Sequence, residues 1–298
     1  MNISTPRVIF IVPYRNRVHQ KHFFVTYMQH VMSVDFEPGS YEIYFVHQAD
    51  SREFNRGAMK NIGVFAIKQK YPHTFNNITV VFHDVDTIPY APGVVQYETD
   101  HGVVRHHYGF RYALGGIVSF RIADFEAVNG FPNLFGWGQE DSMLYDRCLR
   151  QRLYVDRSQF YLLGDLSILH LFDNMKKVIN ECADPTFMAT KGMSTHAHDG
   201  IHTLYNVQFT IDKQSSNPSD ADVATDAIDN VFFVNVTDFI TSVPYMPNLN
   251  QVYDIRDDIR KSYRKVTLPQ QQHHLHTTNT TAAKRQTTAG QFKFQFHK

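Results

Sequence analysis

Over the first ninety positions, short unbroken apolar runs alternate with amphipathic stretches. "RVIFIVPY" (7–14), "YEIYFVHQ" (41–48) and "ITVVFHDVD" (78–86) have the length and the β-branched and aromatic content of buried strands. Between the first two, "NRVHQKHFFVTYMQHVMS" places Val18, Phe23, Val25, Tyr27, Met28 and Val31 mostly on one helical face. A second helix is predicted for "FNRGAMKNIGVFAIKQKY" (54–71). Strand and helix in alternation predict an α/β fold, with a mostly parallel central sheet flanked by helices. Ligands of such sheets bind beyond the C-terminal ends of the strands. Three polar stretches occupy those ends: "PYRNR", "HQADSREFNR" and "DVD".

Further along, "GGIVSFR" (115–121) reads as another strand and "IADFEAVNGF" as a short helix. The glycine- and aromatic-rich "GFPNLFGWGQED" (130–141) leads into an amphipathic helix, "SMLYDRCLRQR", and "LLGDLSILHLF" (162–172) reads as a last core strand. The polar, acidic segment 213–230 has the composition of a linker or surface loop, and order is expected again over 231–246. From residue 268 the Gln, His, Thr and Lys bias predicts disorder. The domain boundaries that follow are 1–212 for the main α/β fold, 213–267 for an acidic linker and ordered extension, and 268–298 for a basic polar tail.

Composition narrows the function class. The 29 basic and 29 acidic residues cancel, so no overall field points to nucleic acid or to a membrane surface. The balance is uneven, however. The last 40 residues hold eight Lys or Arg and no Asp or Glu, a basic tail on an acidic body. No apolar run approaches the roughly 18 residues of a membrane span, and the first apolar segment is short and followed by arginines, unlike a signal peptide. Cys148 and Cys182 are too few for a disulfide framework. A cytoplasmic chain without a membrane anchor is therefore expected.

The residues at the predicted strand ends carry the chemistry. Asp84 and Asp86 are one residue apart at the end of an apolar strand, where paired charge is costly unless a cation meets it. On an extended segment both carboxylates face the same way, and two hard oxygen donors suit Mg²⁺ or Mn²⁺. "HDVDT" also matches the D-x-D-x-T nucleophile strand of haloacid dehalogenase-type phosphatases, an open alternative. Arg15 and Arg17 alternate after the first strand and Arg56 follows the second; guanidinium forks of this kind match diphosphate oxygens. Trp137 is the only tryptophan, set between two glycines, and a hinged indole can stack on a sugar face. Glu140 and Asp141 stand at the mouth of the next helix, where its dipole favours negative charge. His83, His170, His196 and His198 are each more readily explained as structural than as ligands.

In order and spacing, "VPYRNR", "HQADSREFNRGAMKNIG", "FHDVDTIPY", "GGIVSFR", "NGFPNLFGWGQED" and "ILH" resemble the β-1,4-galactosyltransferase family over roughly residues 7–211. The resemblance implies a GT-A fold, Rossmann-like, and inverting transfer of galactose or GalNAc from a UDP-sugar to a glycan or glycoconjugate hydroxyl, with Mn²⁺. It further implies that Pro13, Tyr14, Arg15, Arg17, Phe54 and Arg56 hold the UDP and that Asp84 meets the donor sugar. By the same likeness Asp86 and His170 ligate the metal, and Trp137 and Gly138 belong to a mobile tryptophan loop. Glu140 and Asp141 would bind the acceptor, with Asp141 as general base. Three departures stand out. Ser167 occupies the place of a methionine ligand three residues before the metal histidine, which implies a two-residue metal site. Ala113 replaces a tyrosine that crowds the donor C2 substituent, which would admit UDP-GalNAc. Ser142 and Met143 replace acids after the Glu-Asp pair. A degenerate carbohydrate-binding module is the non-enzymatic alternative.

Overall fold

The computed structural model describes residues 5–172, 175–180, 199–213, 228–254 and 256. All of them belong to the first of two units, Met1–Asp257; the second is Asp258–Lys298. Cys182, His196, His198, the acidic stretch 214–227 and the basic tail lie outside the described residues.

The first strand, β1 (Val8–Tyr14), is buried along its whole length, and its side chains alternate between two apolar clusters. Ile9 and Ile11 face one cluster, while Val8, Phe10, Val12 and Tyr14 face the other. Helix α1 (Val18–Asp35) covers the second with Lys21, Phe24, Val25, Met28, Val31 and Met32, a stripe at helical spacing. Tyr27, expected on that face, is half-buried against the same cluster, whereas Phe23 is exposed and stacks on Tyr27 with ring centroids 5.5 Å apart. After β2 (Tyr41–Gln48), helix α2 (Arg56–Lys70) covers the other face of the sheet. Period-two strands between period-3.6 helices thus make the layered α/β architecture that the pattern predicts.

Downstream elements are β3 (Thr79–His83), β4 (Thr87–Pro89), β5 (Val103–Gly109), β6 (Ile117–Arg121), α3 (Ile122–Ala127), α4 (Glu140–Arg150), β7 (Tyr154–Asp156) and β8 (Tyr161–Leu162). The remaining strands are β9 (Ile168–His170), β10 (Lys176–Asn180), β11 (Tyr205–Asp212), β12 (Val231–Ile240) and β13 (Asn250–Asp254). The main sheet runs β11-β12-β2-β1-β3-β6-β5-β7, with β8 also on β5. Pairings among β12, β2, β1 and β3 are parallel, while β6 is antiparallel to both β3 and β5. Because β6 runs the opposite way, its entrance at Gly115 and Gly116 lies beside the exit of β3. Asp84 N–H donates to the Gly116 carbonyl there at 3.0 Å.

Three features differ from the pattern-based expectation. β3 stops at His83, and Asp84 to Asp86 form a turn that buries Val85. Segment 162–172 is not one core strand: Leu162 ends β8 on β5, and Ile168–His170 pair with β4 in a separate two-stranded sheet. The central sheet continues past residue 212. β12 lies parallel beside β2, and Phe233 stacks on Phe45 with ring centroids 5.5 Å apart, so residues 231–240 complete the central sheet. Among the described residues no helix is long and apolar enough to cross a membrane.

Candidate active site

A cleft of about 600 Å³ opens at the C-terminal ends of β1 and β3 and the entrance of β6. Arg15, Arg17, Phe54, Arg56, Asp84, Asp86, Trp137, Glu140, Asp141 and His170 all line it, with Pro13 at its base. These residues come from five separate chain segments.

The arginine end follows from a sharp turn. Asn16, at φ 53°, lets the chain reverse from β1 into α1, and Asn tolerates that left-handed conformation better than most residues. Arg15 donates to the Arg52 carbonyl, which ties the β1 and β2 exits together. Tyr14 does not line the cleft: its ring is fully buried against Phe45 and Phe233, because the alternation of β1 turns it toward α1. Any nucleotide contact at this position falls to backbone, not to the phenol ring.

The acidic end is assembled by strand pairing. After the turn, β4 aligns antiparallel with β9 so that Thr87 opposes His170, and Leu171 N–H donates to the Asp86 carbonyl at 2.7 Å. This brings His170 Nε2 to 4.0 Å from Asp86 Oδ2. That separation is too long for a hydrogen bond and fits within the span of two donors to one cation with bonds of about 2 Å. Asp84 Oδ1 is buried with no hydrogen-bond partner among the described residues, a costly arrangement that a cationic or hydroxyl-bearing ligand relieves. A carboxylate and an imidazole suit Mn²⁺, so the residues fit the ion. Among the described residues no group of three or more His, Cys, Asp or Glu could hold a metal ion. His83, in contrast, is a core residue: burial pushes its pKa down to about 4, and it sits neutral between Phe10 and Phe24.

The third group sits where α2 meets α4. Asn55 caps α2, accepting from Ala58 N–H at 2.9 Å, and its amide donates to the Asn133 carbonyl at 3.0 Å. Asn61 exchanges hydrogen bonds with the backbone of Phe131. The loop before α4 is thereby fixed against α2. It then turns through Gly138 and Gln139, both left-handed at φ 111° and 74°, so that α4 starts with its first-turn acids facing the cleft. Gly138 itself does not line the cleft. Trp137 is 42% exposed, yet its N–H donates to the Val178 carbonyl at 2.8 Å, while Gly136 N–H donates to that of Phe54. The indole is free to meet a ligand while its backbone is held.

Arg56 Nη1 meets Glu140 Oε1 at 3.1 Å. Burial works against the Arg56 charge, but Glu140, Asp84 and Asp141 outweigh it and raise the pKa further. Asp141 is the perturbed acid: its pKa rises to about 6, from burial first, with Lys60 opposing and Glu140 and Asp84 adding to the rise. A general base that titrates near 6 is ionised at neutral pH and still basic enough to take a proton. Asp141 Oδ2 packs so close to Gly115 that a Cβ there would lie 2.3 Å away, and the Asp141 carbonyl accepts from Leu114 N–H at 2.9 Å. The glycine therefore makes room for the carboxylate. Motif reasoning passed over two features. Lys60, 1% exposed, donates to Asp141 Oδ1 at 3.2 Å. Exposed Phe110 and Tyr112 stack at 5.1 Å, and Phe110 reaches the cleft. The aromatic content of 110–112 was the available signal for the second; Lys60 gives none as a residue type.

Two family models match the chain: the N-terminal region of glycosyl transferase group 7 over residues 3–95, and the N-terminal domain of galactosyltransferase over residues 101–171. Human beta-1,4-galactosyltransferase 4 is 33% identical over 162 residues, which is 51% of this chain and 45% of that protein. The Caenorhabditis elegans xylosylprotein 4-beta-galactosyltransferase is 28% identical over 169 residues, 53% of this chain and 55% of that protein. The chain thus spans about half the length of these relatives. Among solved structures, the catalytic domain of Drosophila beta1,4galactosyltransferase 7 in complex with xylobiose has a TM-score of 0.57 at 20% identity, covering 78% of this chain and 94% of that one. A mutant of the same enzyme in complex with manganese, UDP-Gal and xylobiose gives a TM-score of 0.54 at 19% identity. These structures share the fold.

Proposed function

The chain belongs to the β-1,4-galactosyltransferase family, and from that premise we propose that it is a metal-dependent inverting transferase that moves a hexose from a UDP-sugar to a saccharide hydroxyl. The observation that carries this reading is the convergence in one cleft of two donors placed to bind one cation, Asp86 and His170, with a carboxylate whose pKa suits a general base, Asp141. Galactose is the donor sugar that the relatives' names favour. The phosphatase and the degenerate carbohydrate-binding module are not favoured.

Inversion asks one residue to take a proton from the attacking hydroxyl while the nucleotide leaves from the opposite face of the sugar, with no covalent sugar intermediate. Asp141 does the first. Asp86 and His170 would hold Mn²⁺, which when bound supplies charge stabilisation at the departing diphosphate. Arg15 and Arg17 add positive charge at the same end of the cleft. Asp84, whose Oδ1 has no hydrogen-bond partner among the described residues, is placed to accept from the donor. Glu140 holds Arg56 and shapes the acceptor side. Trp137 and Phe110 offer ring faces to sugar C–H groups and narrow the access of water, which would otherwise compete with the acceptor.

Calorimetric titration of UDP-galactose and UDP-GalNAc, with and without Mn²⁺, on the wild type and Asp86→Asn tests the donor half without an acceptor. Metal-dependent binding that Asp86→Asn abolishes is the expected result. Binding of neither sugar, or binding indifferent to both the ion and Asp86, refutes the proposal.

A further inference from the structure

Two cations on one face of α2 meet the two acids that open α4. Arg56 and Lys60 are four residues apart, one helical turn, and pair respectively with Glu140 and Asp141. Arg56 is partly exposed, whereas the Lys60 side chain is 2% exposed. Its Nζ lies 4.3 Å from the centre of the Phe131 ring, on the loop that α2 holds in place. Burying an ammonium is expensive unless an anion meets it, and Lys60 meets the Asp141 carboxylate at 3.2 Å. The two oxygens of that carboxylate have different surroundings. Oδ1 accepts from Lys60, and Oδ2 lies over the open space left by Gly115 at the cleft wall.

This inference rests on the transferase reading. We propose that Lys60 is a positioning residue for the reaction: it anchors Asp141 through Oδ1, keeps the carboxylate ionised at neutral pH, and leaves Oδ2 to take the proton of the acceptor hydroxyl. The other charged groups facing Asp141 are Arg56 from the same helix, Asp84 from the turn after β3, and Glu140 beside it on α4. The two acids and the burial favour the protonated form, so the cations on α2 are what oppose it. Of these, Lys60 acts most strongly, in agreement with its direct contact. Arg56 is already committed to Glu140. Lys60 is not among the residues that line the cleft; it acts through Asp141.

The test compares wild type, Lys60→Met, Lys60→Gln, Lys60→Arg and Asp141→Asn as full-length chains. The Asp141 carboxyl is titrated by ¹³C NMR with labelled aspartate, its signal assigned by absence in Asp141→Asn. In parallel, UDP release from UDP-galactose with Mn²⁺ is followed from pH 5 to 10 against a panel of free saccharides that includes xylobiose. An opposite charge in contact holds a carboxyl down by about 1–3 pH units. Lys60→Met should therefore raise the Asp141 midpoint and the acid limb of kcat/KM together by about that much. At pH 7 this is a loss of about 2- to 100-fold that recovers at high pH. Lys60→Arg should restore most of the wild-type profile. Lys60→Gln, which keeps a polar head in the pocket, gives the same reading where the methionine variant does not fold. A folded Met or Gln variant with an unmoved midpoint overturns the role of Lys60. Wild-type activity that Asp141→Asn leaves intact overturns instead the base assignment on which it depends.

Discussion

Replacing Asp141 with asparagine changes the cleft by one functional group. The side chain keeps its shape, so Oδ1 can still accept from Lys60 at about the 3.2 Å seen now. The amide nitrogen then takes the place of Oδ2 over Gly115, and an amide nitrogen has no lone pair to receive a proton. Loss of a positioned general base lowers rates by typically 10²–10⁴-fold. That corresponds to about 3–5.5 kcal/mol of transition-state stabilisation, and all of it should appear in kcat. The wild type supplies an internal control through pH. With its pKa raised to about 6, Asp141 is mostly ionised at pH 7, so kcat/KM should be nearly level above about pH 7 and fall about tenfold per unit well below 6. In Asp141→Asn that acid limb should vanish with the activity, because the group that produced it is gone. UDP release from UDP-galactose with Mn²⁺, followed across pH, measures both, and calorimetry checks that donor affinity stays within about threefold, since Asp86, His170 and the arginines are untouched. Retention of more than a tenth of wild-type kcat at pH 7, or a comparable loss of donor binding, would refute the assignment of the proton to Asp141.

Two further outcomes follow from contacts in the same cleft. Gly115→Ala would place a Cβ 2.3 Å from Asp141 Oδ2, so the carboxylate must move; kcat should fall at least tenfold while the thermal midpoint changes little, and an unchanged kcat would show that the close approach has no catalytic bearing. Ala113 lines the cleft, and its small side chain should let the wild type bind UDP-GalNAc as well as UDP-galactose; Ala113→Tyr should lose the former selectively in competition titrations, and equal loss of both sugars would assign the residue to nucleotide packing instead.

Much of the site was legible from residue order alone, for a local reason. In a layered α/β fold, functional residues collect at strand exits, so polar groups after apolar runs are already marked. Arg15, Arg56 and Asp84 are found that way. Trp137 and the acids at 140 and 141 stand out by composition and by their place at a helix start. His170 did not stand out on its own chemistry, because nothing in "SILHLF" distinguishes a ligand from a core histidine.

The sequence by itself determined the alternation of strand and helix, hence the layers, the cleft edge and most of its lining, because period-two and period-3.6 patterns are written in adjacent residues. Only the tertiary structure decided which distant groups meet. Asp86 and His170 come together because β4 pairs with β9 across more than eighty residues, and strand register depends on the whole assembly. β12 joins β2 because that strand has a second edge to fill, which no local pattern announces. Tyr14 turns away from the cleft because a strand alternates faces and its ring has Phe45 and Phe233 to bury against. Lys60 reads as an ordinary surface lysine until α2 is packed on the loop before α4, and the partner that makes its burial tolerable, Asp141, belongs to another element.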